Sequence, residues 1–408
     1  MTDSSPHAGR RTRPGFGRVV AFALAIVSTT IGAAPYRPQD PETVLLRVDP
    51  AQTRVVRSQS SAPASPEIAL SDAKSYTQRG RELIDERYFG QAEAVLRQAL
   101  RCVDLITVDA ERCGADRTTV GLLVAFADVL QHRHEFATAE KLLAAALDRA
   151  PRDPQARLMR ATIRLASGRP KEAFGDCRAL IGAVDTLIVS TCLAQSMALS
   201  GQLDQAYELV RRLGDGVQGH EDPGLSWALA LRAELEERRG DVAAAGEAML
   251  QALAADPGSY PTRLQAADVL TRAGRRGEAL KVLEPLPPTE PVLMRRALAS
   301  RGLETRQLDA LIASWRELTE RERDLRAPLH LRDLARGQLE LLNNPQAALA
   351  AARDNWQSQR ELEDARVFLA AALAAGQPEA AQPVRTWLAE NRIEDAYIDR
   401  LDARSGTP

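Results

Sequence analysis

The stretch from Leu122 to Pro151, LLVAFADVLQHRHEFATAEKLLAAALDRAP, contains the pattern that decides the fold. Its apolar residues recur every three or four positions, which predicts two helices. Ala127 and Ala139 stand twelve positions apart, one in each predicted helix. Two antiparallel helices approach closely only where both crossing residues are small, so this pair predicts a tight helical hairpin. Pro151 stops the second helix and starts the turn that follows it.

The same pair of small residues recurs along the chain. A Gly or Ala is followed twelve positions later by Ala at Gly80/Ala92, Ala127/Ala139, Ala161/Ala173, Ala194/Ala206, Ala233/Ala245 and Ala267/Ala279. The second members lie 33 to 47 residues apart, and Ala348 and Ala381 extend the series. Prolines twelve residues after three of these alanines, Pro151, Pro257 and Pro291, are predicted to end second helices.

Two further residues of each unit follow from packing. A glycine five residues before the second alanine is predicted to end the first helix in a left-handed conformation, because it has no Cβ. These glycines are Gly168, Gly201, Gly240, Gly274 and Gly376. A larger apolar residue four positions after the alanine is predicted to fill the groove between units. These residues are Leu96, Leu143, Val210, Met249 and Leu283.

This set of positions resembles the tetratricopeptide repeat, a helix–turn–helix unit of about 34 residues. The fullest match is at Leu123, Phe126, Ala127, Leu130, Ala139, Leu143, Ala146 and Pro151. The resemblance covers roughly Ala73 to Arg400 and implies an all-α fold, an α-solenoid in which about nine units form a right-handed superhelix. Residues 291–329 fit loosely, with Ala299/Leu311 as one possible register of a degenerate unit.

Composition restricts the class of protein. The chain has 408 residues, of which 45% are apolar and 26% charged, which is typical of a folded protein. The net charge of −2 gives no basic surface for nucleic acid, so no nucleic-acid partner is expected. No apolar run long enough to span a membrane follows the N-terminal segment.

The N-terminal segment predicts export. Arg10, Arg11, Arg13 and Arg18 precede an uncharged run at 19–34, the pattern of a signal peptide. We therefore expect a signal peptide at 1–34, a flexible Pro- and Ser-rich linker at 35–70, a repeat domain at 71–403 and a disordered tail at 404–408. The mature protein would be periplasmic or secreted, with no membrane span. A short anchor that is never cleaved is the alternative.

The four cysteines fit an oxidising compartment. For an exported chain, two disulfides that close short loops are favoured over free thiols. Of the three possible pairings, Cys102–Cys113 with Cys177–Cys192 requires the least rearrangement of the backbone. No Cys-x-x-Cys motif suggests a redox or zinc site.

No motif for catalysis or for cofactor binding is recognisable, so we predict a non-enzyme without a cofactor or a metal. His132 and His134 could bind a metal, but residues two apart on a helix face different directions. They are therefore interpreted as surface residues near a predicted turn. The acidic and basic residues from Glu234 to Arg239 are interpreted as a solvated helix face. Three tryptophans, Trp315, Trp356 and Trp387, are predicted to fill the core or cap the array.

Function is predicted to lie in binding. In the family that the chain resembles, first-helix residues line the concave surface, and this implies twelve candidate residues for binding a peptide or protein partner. They are Lys74, Arg81, Asp128, Gln131, His132, Gln155, Gln195, Trp227, Glu234, Arg238, Asp268 and Arg272. Their mixed charges favour a polar partner, with Trp227 as an anchor.

Three hypotheses follow. The first is an exported, non-catalytic scaffold that binds a protein partner in its concave groove. The second is an envelope assembly factor that an uncleaved N-terminal anchor holds at the membrane. The third is an enzyme with a site between helices, which would need clustered titratable residues in a deep pocket.

Overall fold

The computed structural model describes residues 65–100, 116–214, 222–302, 305–324 and 330–405, which belong to one unit spanning residues 61–408. These residues form helices and turns, and no strand occurs among them. None of the described helices is both long and apolar enough to cross a membrane.

The described helices form nine consecutive pairs, numbered here as units 1 to 9, which confirms the all-α repeat architecture. The first helices are α1 (Pro66–Leu83), α3 (Arg117–His132), α5 (Pro154–Ala166), α7 (Thr186–Ala198), α9 (Pro223–Arg238), α11 (Tyr260–Arg272), α13 (Glu290–Ala299), α15 (Leu331–Arg336) and α17 (Leu362–Ala374). The second helices are α2 (Glu86–Ala99), α4 (Phe136–Arg149), α6 (Pro170–Arg178), α8 (Leu203–Gly214), α10 (Val242–Ala255), α12 (Arg276–Leu283), α14 (Thr305–Asp324), α16 (Pro345–Asn355) and α18 (Gln382–Asn391). A π-helical turn (Gly337–Leu341) follows α15, a 3₁₀ turn (Pro378–Ala381) precedes α18, and α19 (Ala396–Ser405) follows the last pair.

The predicted small-residue crossings are confirmed. Both members of all six pairs are buried, and none of the ten alanines at the crossings of units 2 to 6 is more than 1% exposed. At Gly80 an added Cβ would lie 2.8 Å from the ring of Phe89, so the α1–α2 crossing has no room for a methyl group. Leu96, Leu143, Val210, Met249 and Leu283, at the groove positions, are at most 1% exposed.

The five predicted turn glycines all adopt a left-handed conformation, with φ between +68° and +92°. In units 2 and 8, which lack glycine at the equivalent position, His134 (φ +59°) and Asn343 (φ +49°) adopt the same conformation. The turn geometry is therefore a property of the unit, and glycine is the residue that adopts it with least strain.

Side-chain caps define where the middle first helices begin. Asp116, Asp153, Asp185, Asp222 and Ser259 stand at the N-caps of α3, α5, α7, α9 and α11, and the side chain of each accepts a hydrogen bond from a backbone N–H of the first turn. Such caps satisfy amide groups that have no partner within the helix.

Three local predictions were wrong. The repeat domain was expected to start at residue 71, but its first described helix begins at Pro66, because Ser65 caps it and Pro66 fits its first position. Pro291 does not end a helix but lies in the first turn of α13. The Ala299/Leu311 register is also wrong: Leu311 is only half-buried, and Trp315, 1% exposed, packs against Gly337 instead.

The chain's last unit returns to the middle of the array. The backbone N–H of Arg360 donates to the carbonyl of Ala166 at 2.7 Å, and Trp387 Nε1 donates to the carbonyl of Gly168 at 2.8 Å. Farther along, Arg238 Nε donates to the carbonyl of Glu394 at 3.1 Å. Units 3 to 5 therefore pack against unit 9 and α19, so the superhelix closes on itself.

The turn glycines show where this closure occurs. A Cβ built on Gly168 would meet Arg360 and Trp387, one on Gly201 would meet Arg392, and one on Gly240 would meet Ala396. Gly274, in unit 6, has no described atom within 4 Å of that position. The turns of units 3 to 5 are thus covered, and that of unit 6 is open.

The tryptophans and one disulfide fit the predictions. Trp315, Trp356 and Trp387 are at most 6% exposed, and the rings of Trp356 and Trp387 meet edge to face with centroids 5.5 Å apart, which confirms their role in the core. Cys177 and Cys192 form a disulfide between α6 and α7. The predicted Cys102–Cys113 pair, like the signal peptide and most of the linker, lies outside the described residues.

The closure predicts different costs for two glycine substitutions. Gly201→Ala and Gly274→Ala both place a Cβ on a residue with φ +76°, and each should lower the free energy of unfolding by about 1 kcal/mol for that reason. Only the Cβ at position 201 meets a neighbour, Arg392 Cβ at 2.8 Å. We expect Gly201→Ala to cost at least about 1 kcal/mol more than Gly274→Ala in chemical denaturation. Equal costs would contradict packing of unit 9 on unit 4.

Candidate binding cavity

The inner faces of the first helices surround a cavity of about 1030 Å³. Residues of α3, α5, α7, α9, α11, α13, α15 and α17 line it, together with residues around the α1–α2 turn. First helices supply most of the lining, and Glu86, Phe89 and Phe136 are the lining residues that belong to second helices.

Eight of the twelve residues that were predicted to bind a partner line this cavity. They are Arg81, Gln131, His132, Gln195, Trp227, Glu234, Asp268 and Arg272. The structure brings them together from five first helices, although they are spread over almost two hundred residues of sequence. Whether they bind a partner remains a prediction.

The other four predicted residues do not line the cavity. Lys74 and Gln155 are exposed elsewhere. Asp128 lies beside the cavity and accepts a bidentate hydrogen bond from Arg81 at 2.7 Å and 2.8 Å. Arg238 is only 2% exposed, because its guanidinium donates to the carbonyls of Ala198 and Glu394 and joins unit 5 to its neighbours.

The interpretation of residues 234–239 as a solvated face was wrong for Glu236, Glu237 and Arg238, whereas Arg239 is exposed. Glu236, Glu237 and Arg238 are at most 5% exposed. Glu236 accepts a hydrogen bond from Tyr207 of unit 4, whereas Glu237 contacts Arg366 of unit 9 and Arg238 donates to the carbonyl of Glu394. Glu237 and Arg238 belong to a set of charged side chains that we call the inner charge network. Its members are Glu234, Glu237, Arg238, Asp268, Arg272, Arg295, Arg332, Asp333, Arg336, Glu361, Glu363, Asp364, Arg366 and Asp395.

One half of this network joins units 5 and 6 to unit 9. Arg272 contacts Glu237 at 2.7 Å and Glu363 at 3.2 Å. Arg366 contacts the same two carboxylates at 3.3 Å and also Asp395 at 2.6 Å. Burial alone would lower the pKa of Arg272, but Glu363 and Glu237 raise it above the ordinary value, so this arginine stays charged.

The other half joins units 6, 7 and 8 to one another and to the start of unit 9. Arg295 contacts Asp268 at 2.9 Å and Asp333 at 2.7 Å, and Arg336 contacts Asp268 at 2.9 Å. Arg332 pairs with Asp364 and Glu361 at the start of α17. Sequence reasoning missed most of these residues, because each is an ordinary helix-surface residue within its own unit and gains its partners only from other units.

All three histidines in the described ranges gather at one end of the cavity. Arg81 Nε donates to His132 Nε2 at 3.0 Å, and His134 Nδ1 lies 3.0 Å from the side-chain amide of Gln359. The rings of His134 and His330 are 6.3 Å apart. Burial is the main reason that the pKa of His134 falls to about 4, and the nearby His330 and Arg332 lower it further. His134 is thus half-buried and uncharged near neutral pH, and not the surface residue that we predicted. None of the described residues forms a cluster suited to holding a metal ion.

The inner charge network predicts an asymmetric response to loss of arginine. Arg366→Ala would leave Asp395, which is 3% exposed, without its cation, and we expect a loss of about 3–5 kcal/mol in the free energy of unfolding. The matched control is Arg87→Ala, which removes an ion pair to Asp85 whose arginine side chain is 87% exposed. No measurable change is expected there. Urea denaturation followed by circular dichroism measures both, and equal effects would contradict a buried role for Arg366.

Acidification should weaken the fold through His134. Its pKa is about 4 in the folded state and near 6.5 when unfolded, so the unfolded chain binds the proton more readily. Stability from this residue is therefore complete above pH 6.5 and is lost as the pH falls toward 4, by up to about 3 kcal/mol. His134→Asn tolerates the left-handed φ and does not titrate. We expect its unfolding free energy to fall less than that of the wild type between pH 7 and pH 4.5. Parallel curves would show that His134 is not responsible.

Comparison with known proteins places this architecture in a family. The tetratricopeptide repeat family model matches residues 237–300, which run from the end of α9 through α13. The chain therefore contains tetratricopeptide-type repeats, within an array of nine described helix pairs. Proteins of this family are in general scaffolds for protein–protein interaction.

Solved structures with similar helical arrays have low sequence identity to the chain. A tetratricopeptide repeat protein from Parabacteroides merdae is 12% identical, with 74% of this chain and 99% of that chain covered and a TM-score of 0.35. The human IFIT1 dimer with m7Gppp-AAAA is 15% identical, with 79% and 71% covered and a TM-score of 0.47. The APC/C hetero-tetramer Cut9–Hcn1 is 15% identical, with 87% of this chain and 69% of that chain covered and a TM-score of 0.43. The search of curated protein sequences found no match.

Proposed function

We propose that this protein is an exported, non-catalytic scaffold that holds a segment of a protein partner in the cavity formed by its first helices. The family is one of interaction scaffolds. The cavity, at about 1030 Å³, lies at the upper end of the volumes that bind small ligands and has room for several side chains of a partner.

Free amide groups in the cavity are the observation that carries this proposal. Gln131, Gln195 and Gln265 line the cavity from three different first helices. Their side chains have no hydrogen-bond partner among the described residues. A carboxamide both donates and accepts, so it matches the backbone N–H and C=O groups of a bound segment. Trp227 adds a large apolar surface beside them.

Export is part of the proposal. The disulfide between Cys177 and Cys192 supports it, since disulfides persist mainly in oxidising compartments such as the periplasm. The pattern of residues 1–34, typical of a signal peptide, also supports export. N-terminal sequencing of the mature protein separates cleavage of this leader from a retained membrane anchor.

Filling part of the cavity should weaken peptide binding. A random peptide library selected on the purified full-length protein provides the probe, and calorimetry measures the selected peptides. Gln195→Trp places an indole in the cavity, and we expect at least about tenfold weaker binding, since the blocked volume excludes the peptide. Lys171→Trp introduces the same side chain on the exposed face of α6.

The matched control decides the location of binding. Lys171→Trp should bind the selected peptides as the wild type does. If the library yields no binder, or if both variants weaken binding equally, the cavity is not a peptide site and the proposal is wrong.

A further inference from the structure

Within the inner charge network, eight carboxylates face six guanidinium groups. Seven of these carboxylates have a guanidinium nitrogen within 3.2 Å. Glu234 is different, because its nearest described cation is Arg238 at 3.9 Å. Glu234, on the cavity wall, is therefore the one carboxylate of the network that has no cation of the described residues at hydrogen-bond distance.

Arg238 is held in place and cannot come closer to Glu234. Its Nη2 donates to the carbonyl of Ala198 at 2.7 Å and its Nε to the carbonyl of Glu394 at 3.1 Å, which fixes the guanidinium plane. Its remaining nitrogen, Nη1, forms no hydrogen bond among the described residues. The Arg238 side chain is also fully enclosed, whereas that of Glu234 keeps 25% of its surface open toward the cavity.

The surroundings of Glu234 suit a cation. Trp227 lies two helical turns earlier on the same face of α9, which is about 10 Å along the helix axis. The side chain of Glu234 tilts toward the N-terminal end of α9, as helical side chains do, and therefore in the direction of Trp227. Both residues line the cavity, as does Gln195 on the neighbouring helix α7.

We infer that Glu234 is the anchor for a basic side chain, lysine or arginine, of the segment that the cavity binds. This rests on the proposed function and specifies which segments the cavity accepts. The cation would pair with Glu234 and lie against the ring of Trp227, an arrangement favoured by electrostatics on both sides.

Specificity follows from the cost of leaving Glu234 unpaired. Burial raises the pKa of Glu234, with Arg238 acting in the opposite direction, so the ionised form is held at a cost while the cavity is empty. A basic side chain removes that cost. An acidic side chain in the same place would add a second unpaired charge, and a neutral one would leave Glu234 desolvated without a partner.

Libraries with one fixed position test this inference. Four sets of acetylated heptapeptides carry Lys, Arg, Gln or Glu at the centre and random residues elsewhere, and the amount retained by the full-length protein is measured by mass spectrometry. On the wild type we expect the Lys and Arg sets to be retained about tenfold more than the Gln set. In Glu234→Gln this preference should fall to within about twofold, while retention of the Gln set persists.

Glu82→Gln is the matched control. Glu82 lies at the rim of the same cavity, is exposed, and loses the same charge, so the basic preference should survive. Circular dichroism checks that both variants fold; if Glu234→Gln unfolds, Glu234→Asp, which withdraws the carboxylate by one methylene, replaces it with the same expected loss of preference.

The outcomes separate the two proposals. The basic anchor is overturned if the wild type retains all four sets equally, or if Glu234→Gln still prefers the Lys and Arg sets. Either result leaves peptide binding intact. Retention of no set overturns peptide binding, and the anchor with it.

Discussion

Two helices of a unit can approach each other this closely only where neither carries more than a methyl group at the crossing. Ala127 and Ala139 in unit 2, and the equivalent pairs in the neighbouring units, satisfy this limit and are fully buried. In this array the first helices supply most of the surface that faces the cavity. Once the inward helices are fixed, their side chains form the cavity wall. The cavity, its polar lining and the charges around it all depend on these small contacts.

The repeated part of the fold could be predicted because it is local. Pairs of small residues, turn glycines and groove-filling residues recur within one unit, and each has its cause within about 34 residues. The degenerate unit 7 was misassigned because a large residue, Trp315, takes the buried place in α14 and is accommodated by Gly337 of the next unit. That compensation is not visible at the spacing of a single unit.

The candidate site was predicted in its location but not in its chemistry. First-helix positions identified Gln195, Trp227 and Glu234 as inward-facing, and the structure places them on the cavity wall. The partners of the buried arginines could not be predicted, because Glu237 and Arg366 are 129 residues apart in sequence and meet only after the superhelix closes. Within its own helix, Glu237 is indistinguishable from a solvent-facing residue.

The closure also changes how such an array unfolds. In a linear repeat protein each unit contacts only its neighbours, so the end units have one partner fewer and fray first. Here the last unit has a second set of contacts in the middle of the array, through Trp387 and the carbonyl of Gly168. Fraying of the C-terminal end therefore removes support from units 3 to 5 at the same time. The stability of the array therefore includes a contact between units that are distant in sequence. The last unit and units 3 to 5 lose their structure in a common transition.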